Sequence, residues 1–500
     1  MELNLSNQYD HKALVRYGVW AVLCMLAMKV TGGYASVFFI FAALFALMNR
    51  KAITLLYIVL YLTLIGMSNE KMFGNRMISV LVARVTLVSL TALVAGKVFN
   101  ARSSRCMMPI GGIMIYIVWE CVVSLQGFQP IVSYLKIFLF CCIFLSMFGV
   151  ANEVNASTRV NAKILRAAIL AIAALITLGS VAVMPFPGIS LMTGKAAEEA
   201  MLSGEAVSLF CGVCSHSQAM GPMAGVLGTF LLADLVFSIK KWDKFYVAML
   251  VSCAIICYKS SSRTGMGTFV AGCGMVTFLF LRARGIGSNW RGKVMTAATL
   301  VVMAGGIAVV ALPQMRERVA KFALKTTGGK GERGNVTVEN MFSSRQKLIE
   351  ESMRNFRKKP FQGNGFQVAE EMQFEKRSGW KSYLAAPIEK GVWFYAVLEE
   401  GGIVGFVLFA GWLLILFPTL YKRGAYVMAS TFFAFIMANT GEFCLFAMSY
   451  VGGFYWTLTF AAGTLDVQRL KNQGEKFIWE VPIDQVIAEV GMDEWVRVRG

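Results

Sequence analysis

A chain of 500 residues that is 57% hydrophobic and only 15% charged, with a mean hydropathy of +0.60, lies outside the range of water-soluble globules and reads as a polytopic membrane protein. Its formal net charge of +19 at pH 7 suggests a nucleic-acid partner, but the basic residues sit in connectors between apolar runs, which points to membrane topology instead. The eleven cysteines lie within or beside those runs, which argues against a disulfide scaffold.

About fourteen runs have the length and hydropathy of a spanning helix. They are centred near Leu23, Phe39, Val59, Val88, Tyr116, Phe140, Leu170, Leu227, Val251, Cys273, Met303, Ala410, Phe433 and Gly453. The polar N-terminus has no cleavable signal and leads straight into the first run, which serves as its own insertion signal. With that terminus cytoplasmic, the inward connectors carry Arg50 and Lys51, Lys97, Arg102 and Arg105, Arg159, Lys163 and Arg166. Further on they carry Lys240, Lys241 and Lys244, Arg282, Arg284, Arg291 and Lys293, then Lys422 and Arg423. This is the positive-inside pattern, and it leaves one long polar loop outside and the C-terminus inside. The expected organisation is a transmembrane region over 1–313, a large extracytoplasmic loop over 314–400, further spans over 401–464 and a cytoplasmic tail over 465–500.

A second outer segment runs from about Pro185 to Ser215 and ends with Cys211 and Cys214, read as two apolar thiols in preference to a metal or redox pair. In the large loop, a Gly-rich stretch at 326–334 precedes a predicted amphipathic helix from about Phe342 to Lys358, stopped by Pro360. Phe342, Ile349, Met353 and Phe356 form its apolar stripe, with charged residues on the flank and opposite side. Arg345 sits on the edge of that stripe. Two readings stand: an arginine snorkelling there, or a guanidinium aimed at the membrane mouth to hold a phosphate. In the tail, Ile483, Val486, Ile487 and Val490 have the spacing of a short docking helix.

Ionisable residues within spans are functional candidates by default. Arg84, Glu120 and Lys136 fall in the outer parts of three spans, and Lys259 and Arg263 flank Ser260-Ser261-Ser262 at an outer junction. All converge on one membrane face, an arrangement suited to a diphosphate, although structural ion pairs such as Glu120 with Arg84 or Lys136 account for any single member equally well.

The second half carries an ordered set of short motifs. They are Phe210-Cys211-Gly212, His216-Ser217-Gln218-Ala219-Met220-Gly221, Ser262-Arg263-Thr264-Gly265, Arg345, Pro360-Phe361-Gln362-Gly363-Asn364-Gly365-Phe366, and Leu398-Glu399-Glu400-Gly401-Gly402-Ile403-Val404-Gly405. In order and spacing this half, from about 208 to 463, resembles the O-antigen ligase and O-antigen polymerase family of bacterial membrane glycosyltransferases. The resemblance implies an all-α, GT-C-like helical bundle of about 12–14 spans with one large, partly helical loop. It implies a multi-pass inner-membrane enzyme, metal-independent and without a cofactor. Its donor would be an undecaprenyl-diphosphate-linked oligosaccharide and its acceptor a glycan or lipid. Other polysaccharide-assembly proteins are expected partners, and nucleic acid is not.

By the same resemblance, Arg263 and Arg345 match the two arginines thought to hold the diphosphate, with Lys259, Arg84, Lys136 and Lys390 as further cations for it. The family's histidine in the outer loop, the proposed general base, is missing. Its place reads Pro387-Ile388-Glu389-Lys390-Gly391-Val392, and the chain's two histidines, His11 and His216, lie elsewhere. Glu389 is the best replacement base, since a carboxylate can accept the acceptor's proton. Lys390 would bind phosphate or pair with Glu389, while Glu399 and Glu400 fit a helix N-terminus near Gly401-Gly402. The expected activity is inverting glycosyl transfer in surface polysaccharide assembly, with polymerisation of repeat units favoured over ligase-type transfer to lipid A core or protein. A transporter or a noncatalytic scaffold for envelope glycans remains as a reading of another class.

Overall fold

The computed structural model describes residues 9–31, 34–49, 51–68, 86, 91, 111–156, 159–191, 210–214, 217–238, 243–260, 262–284, 338–368, 390–441, 443–447 and 451–472. Among these residues the fold is all-helical and contains no strand, only two isolated bridges, Ser68 with Cys214 and Leu191 with Phe210. The helices are α1 (His11–Val30), α2 (Phe38–Met48), α3 (Ala52–Met67), α4 (Ile113–Ser124), α5 (Pro130–Ala156), α6 (Arg159–Val183) and α7 (Ser217–Phe237). They continue with α8 (Lys244–Lys259), α9 (Arg263–Arg284), α10 (Val338–Lys358), α11 (Trp393–Lys422), α12 (Tyr426–Ala438) and α13 (Val451–Asn472).

Six described helices are long and apolar enough to cross a membrane: α1, α7, α9 and α11, and the greater part of α5 and α6. The protein is thus a polytopic helical membrane protein. Several expected spans differ in the structure: α4 and α12, at the runs near Tyr116 and Phe433, have only 12 and 13 residues. The run near Phe39 opens as a 3-10 turn, Tyr34–Val37, so α2 has only 11 residues and falls short of the hydrocarbon core by itself. The run near Gly453 starts its helix at Val451, because an irregular segment at 443–447 intervenes after α12. The expected spans near Val88 and Met303, the Gly-rich stretch and the tail helix lie outside the described residues.

α7 is buried almost all round and forms the axis of the second half. Its glycines permit a close approach to α9: a Cβ on Gly221 would overlap Ser262, and one on Gly265 of α9 would overlap the backbone of Gly221. α1, by contrast, leaves Val19, Trp20, Leu23 and Leu26 exposed, and α11 leaves Val407, Leu414 and Ile415 exposed, as lipid-facing helices do.

The bundle has two ends of different character. At one, which we call the basic end, the starts of α1 and α6 meet through the Asp10 amide and the Lys163 carbonyl. There Arg166 grips Asp234 with two hydrogen bonds of 2.9 and 3.0 Å, and Tyr246 donates to the same carboxylate at 2.7 Å. Asp466 accepts from the Met428 amide, and Arg469 donates to the Gly424 carbonyl, which closes α13 on α12. The opposite end, the loop end, carries α10 and the segment that follows it.

Candidate functional site

The site grows from a break in α11. Its first turns stop at Gly402, whose φ of 66° and ψ of −167° suit glycine alone. A break frees backbone carbonyls that must find donors. The segment after α10 supplies them: the amides of Asn364 and Gly365 donate to the Glu399 and Glu400 carbonyls at 2.9–3.1 Å, and Ile403 donates back to Pro360 at 2.8 Å. Gly363, at φ 82°, allows this approach, since a Cβ there would overlap the Glu400 carbonyl. The Pro360–Phe366 and Glu399–Gly405 motifs are therefore two halves of one clamp.

α4 and α5 close the clamp from the other side. Phe128 donates to the Asn364 carbonyl at 3.1 Å, Lys359 to the Gln126 carbonyl at 2.7 Å and Ser133 to the Phe366 carbonyl at 2.9 Å. Trp119 donates to the Gly401 carbonyl at 2.8 Å, and Gly401 and Gly405 leave room for Glu120 and Trp119. Lys136, expected to face a diphosphate, is buried and donates to the Gln367 carbonyl at 2.7 Å.

Inside the clamp lies a buried charge cluster. Lys390 Nζ stands 3.1 Å from Glu400 Oε1 and 3.5 Å from Glu399 Oε2, with all three side chains at most 3% exposed. Glu399 also accepts from Asn355 Nδ2 at 3.0 Å, and Asn364 Nδ2 donates to the Asn355 carbonyl at 3.0 Å. Glu120 is fully buried beside Tyr116 and feels the charges of both Glu400 and Lys390. Burial alone would lower the Lys390 pKa, but the Glu399 and Glu400 carboxylates outweigh it and push it up, so Lys390 remains an ammonium. Glu399 and Glu400 thus lie in the last turn before the break of α11 at Gly402 and hold a cation there.

α10 matches the predicted helix, including its stop before Pro360, and extends it back to Val338. Among its described side chains, however, the most buried are polar. Ser352 and Asn355 face the bundle, while Ile349, Met353 and Phe356 are only half-buried. Asn355 gave no signal in the sequence because its role is set by Glu399, a residue far along the chain. Arg345 lies on α10 two turns before Ser352.

Arg263 opens α9, and Ser262 is the cap: its hydroxyl accepts from the Gly265 amide at 3.0 Å. Lys259 ends α8 and is exposed. A shared segment joins this junction to the clamp. A Cβ on Gly441 would overlap Thr264, while Phe443 donates to the Gly391 carbonyl and Trp393 to the Asn439 carbonyl, both at 3.0 Å. The structure therefore brings Lys259, Arg263, Lys390, Lys136, Glu120 and the backbone of Arg345 to the loop end. Arg84, Glu389 and His216 lie outside the described residues. Cys211 and Cys214 are buried, and Cys211 Sγ donates to the Ser190 carbonyl at 3.3 Å.

No curated protein matches the chain. A family model described as O-antigen ligase matches residues 248–410. That stretch runs from within α8 through α9 and α10 to α11 beyond its break, and so contains Lys259, Arg263, Arg345, Glu389, Lys390 and both halves of the clamp except α4 and α5. The match places this segment in the O-antigen ligase/polymerase family of membrane glycan-assembly proteins.

Proposed function

We propose that the protein is a glycosyltransferase that polymerises polyprenyl-diphosphate-linked repeat units at the outer face of the inner membrane, with the loop end outward. The observation that carries this reading is the junction of the capped α9 N-terminus, bearing Arg263, with the clamp, in which Lys390, the residue after Glu389, is held by Glu399 and Glu400. In the reaction the acceptor hydroxyl attacks the anomeric carbon from the face opposite the diphosphate. The new C–O bond forms as the bond to the diphosphate breaks, and the electron pair leaves with the diphosphate. Arg263 and Arg345 take up the developing negative charge, helped by the positive end of α9. The acceptor's proton goes to Glu389.

Lys390 takes a positioning role in this scheme, because its ammonium is engaged by Glu399 and Glu400. It anchors the backbone one residue from the base. Glu399 and Glu400 are buried against it and are poor candidates to meet a substrate hydroxyl. Lys259, exposed at the same junction, supplies an additional cation for the diphosphate; Arg84 is retained as an auxiliary. Lys136, buried on the Gln367 carbonyl, acts through the clamp.

The test is a glycan profile from a strain lacking the protein, complemented with wild type, Arg263→Ala, Arg345→Ala or Glu389→Gln. Each variant is expected at normal protein level with the long-chain ladder lost and single repeats remaining. A full ladder from both arginine variants would overturn the diphosphate site. The matched family's description as O-antigen ligase favours a second reading, transfer of a finished glycan to lipid A core or protein. In that case the same strain accumulates long chains on the polyprenyl carrier.

A further inference from the structure

At the basic end, far from the clamp, α1, α2, α3 and α6 enclose a groove of about 510 Å³. Its polar edge holds Arg16 from the second turn of α1 and Lys51 from the α2–α3 connection, both exposed. Among the described residues, no carboxylate lines it. The Arg16 guanidinium lies 5.4 Å from the ring centroid of Tyr17, which holds it at the groove wall instead of in open solvent. Thr54 and Asn161 add neutral polar groups, and the rest of the lining is mostly apolar, with Ile53 and Ile58 buried and Trp20 and Phe45 on its open side. Trp20 and Phe45 are 45% and 63% exposed on the lipid-facing surface of α1 and α2, so the groove opens sideways into the bilayer.

We propose that this groove is a binding site for one anionic phospholipid. The two cations would share its phosphate, and an acyl chain would lie over Trp20 and Phe45 toward Ile58. Three features specify a lipid in preference to a soluble anion. The cations sit at headgroup depth near the helix ends, the apolar wall continues from them toward the membrane interior, and the opening faces the lipid. Basic pockets between spans that meet these conditions select acidic headgroups. Nothing in this argument depends on the glycosyl-transfer reading.

The full-length protein is reconstituted in nanodiscs of equimolar phosphatidylglycerol and phosphatidylcholine, and retained lipid is counted by native mass spectrometry after release. Wild type is expected to retain phosphatidylglycerol in several-fold excess. Arg16→Gln/Lys51→Gln should lose that excess. Lys12→Gln/Lys244→Gln, which removes the same charge at the same end outside the groove, should keep it. Equal retention of the two lipids by wild type would overturn the site. So would an undiminished excess in the groove variant, or an equal loss in the control, which would mark general surface electrostatics.

Discussion

Lys390 bears more structural consequence than any other single residue of the clamp. Removing one member of a buried ion pair strands its partner, and such losses run to about 3–5 kcal/mol. Lys390→Met should therefore lower thermal stability by that order and remove glycan product with it, while Arg263→Ala removes product at a smaller cost in stability. The triple variant Lys390→Met/Glu399→Gln/Glu400→Gln removes both carboxylates paired with Lys390, keeps the buried Glu120 carboxyl, and should regain part of the stability. A triple variant as unstable as Lys390→Met alone would show that the cluster's electrostatics are not what holds the clamp. At this scale the sequence was partly legible. It singled out Lys136 because ionisable residues within spans are rare, and Lys390 because it stands where the resembled family carries its histidine. Their partners were not legible: the Gln367 carbonyl and the Glu399 and Glu400 carboxylates meet them only through tertiary folding.

Among the elements, α11 and the segment 359–368 stand or fall together. Gly402 combines a positive φ with an extended ψ, and a Cβ there would overlap the Phe361 carbonyl. Gly402→Ala should cost about 1–3 kcal/mol from backbone strain alone. It should also raise hydrogen exchange across 359–368, because the amides of Asn364 and Gly365 would lose the Glu399 and Glu400 carbonyls. Gly411→Ala, at a position on the same helix with open space around its Cβ, is the matched control and should change neither. If both variants behave alike, the break in α11 does not organise the segment. The sequence marked these elements through Pro360 as a helix stop and through the two Gly-rich motifs that carry the family resemblance. The bundle-facing side of α10 escaped it, because hydrophobic periodicity finds apolar faces and this one turns Ser352 and Asn355 inward to meet a carboxylate.

At the scale of the whole molecule, the two ends argue for one orientation. The basic end gathers Arg16, Lys51, Lys163, Arg166, Lys244, Arg282, Lys422 and Arg469 at the same ends of their helices, as the alternation of spans along the chain requires. Short basic connectors are retained on the cytoplasmic side during insertion. In the proposed orientation the loop end, with α10 and the clamp, faces outward. A lipid-linked diphosphate glycan is met there only if this orientation holds, so the topology bears directly on the proposed chemistry. Alkaline phosphatase fused within the Gly-rich stretch at about residue 330 should be active, since that enzyme folds only outside the cytoplasm, and a fluorescent protein fused after Gly500 should fluoresce. An inactive phosphatase fusion on an otherwise stable chain would put Arg263 and the clamp on the cytoplasmic face. Outer-face polymerisation would then be excluded, however well the clamp itself is built.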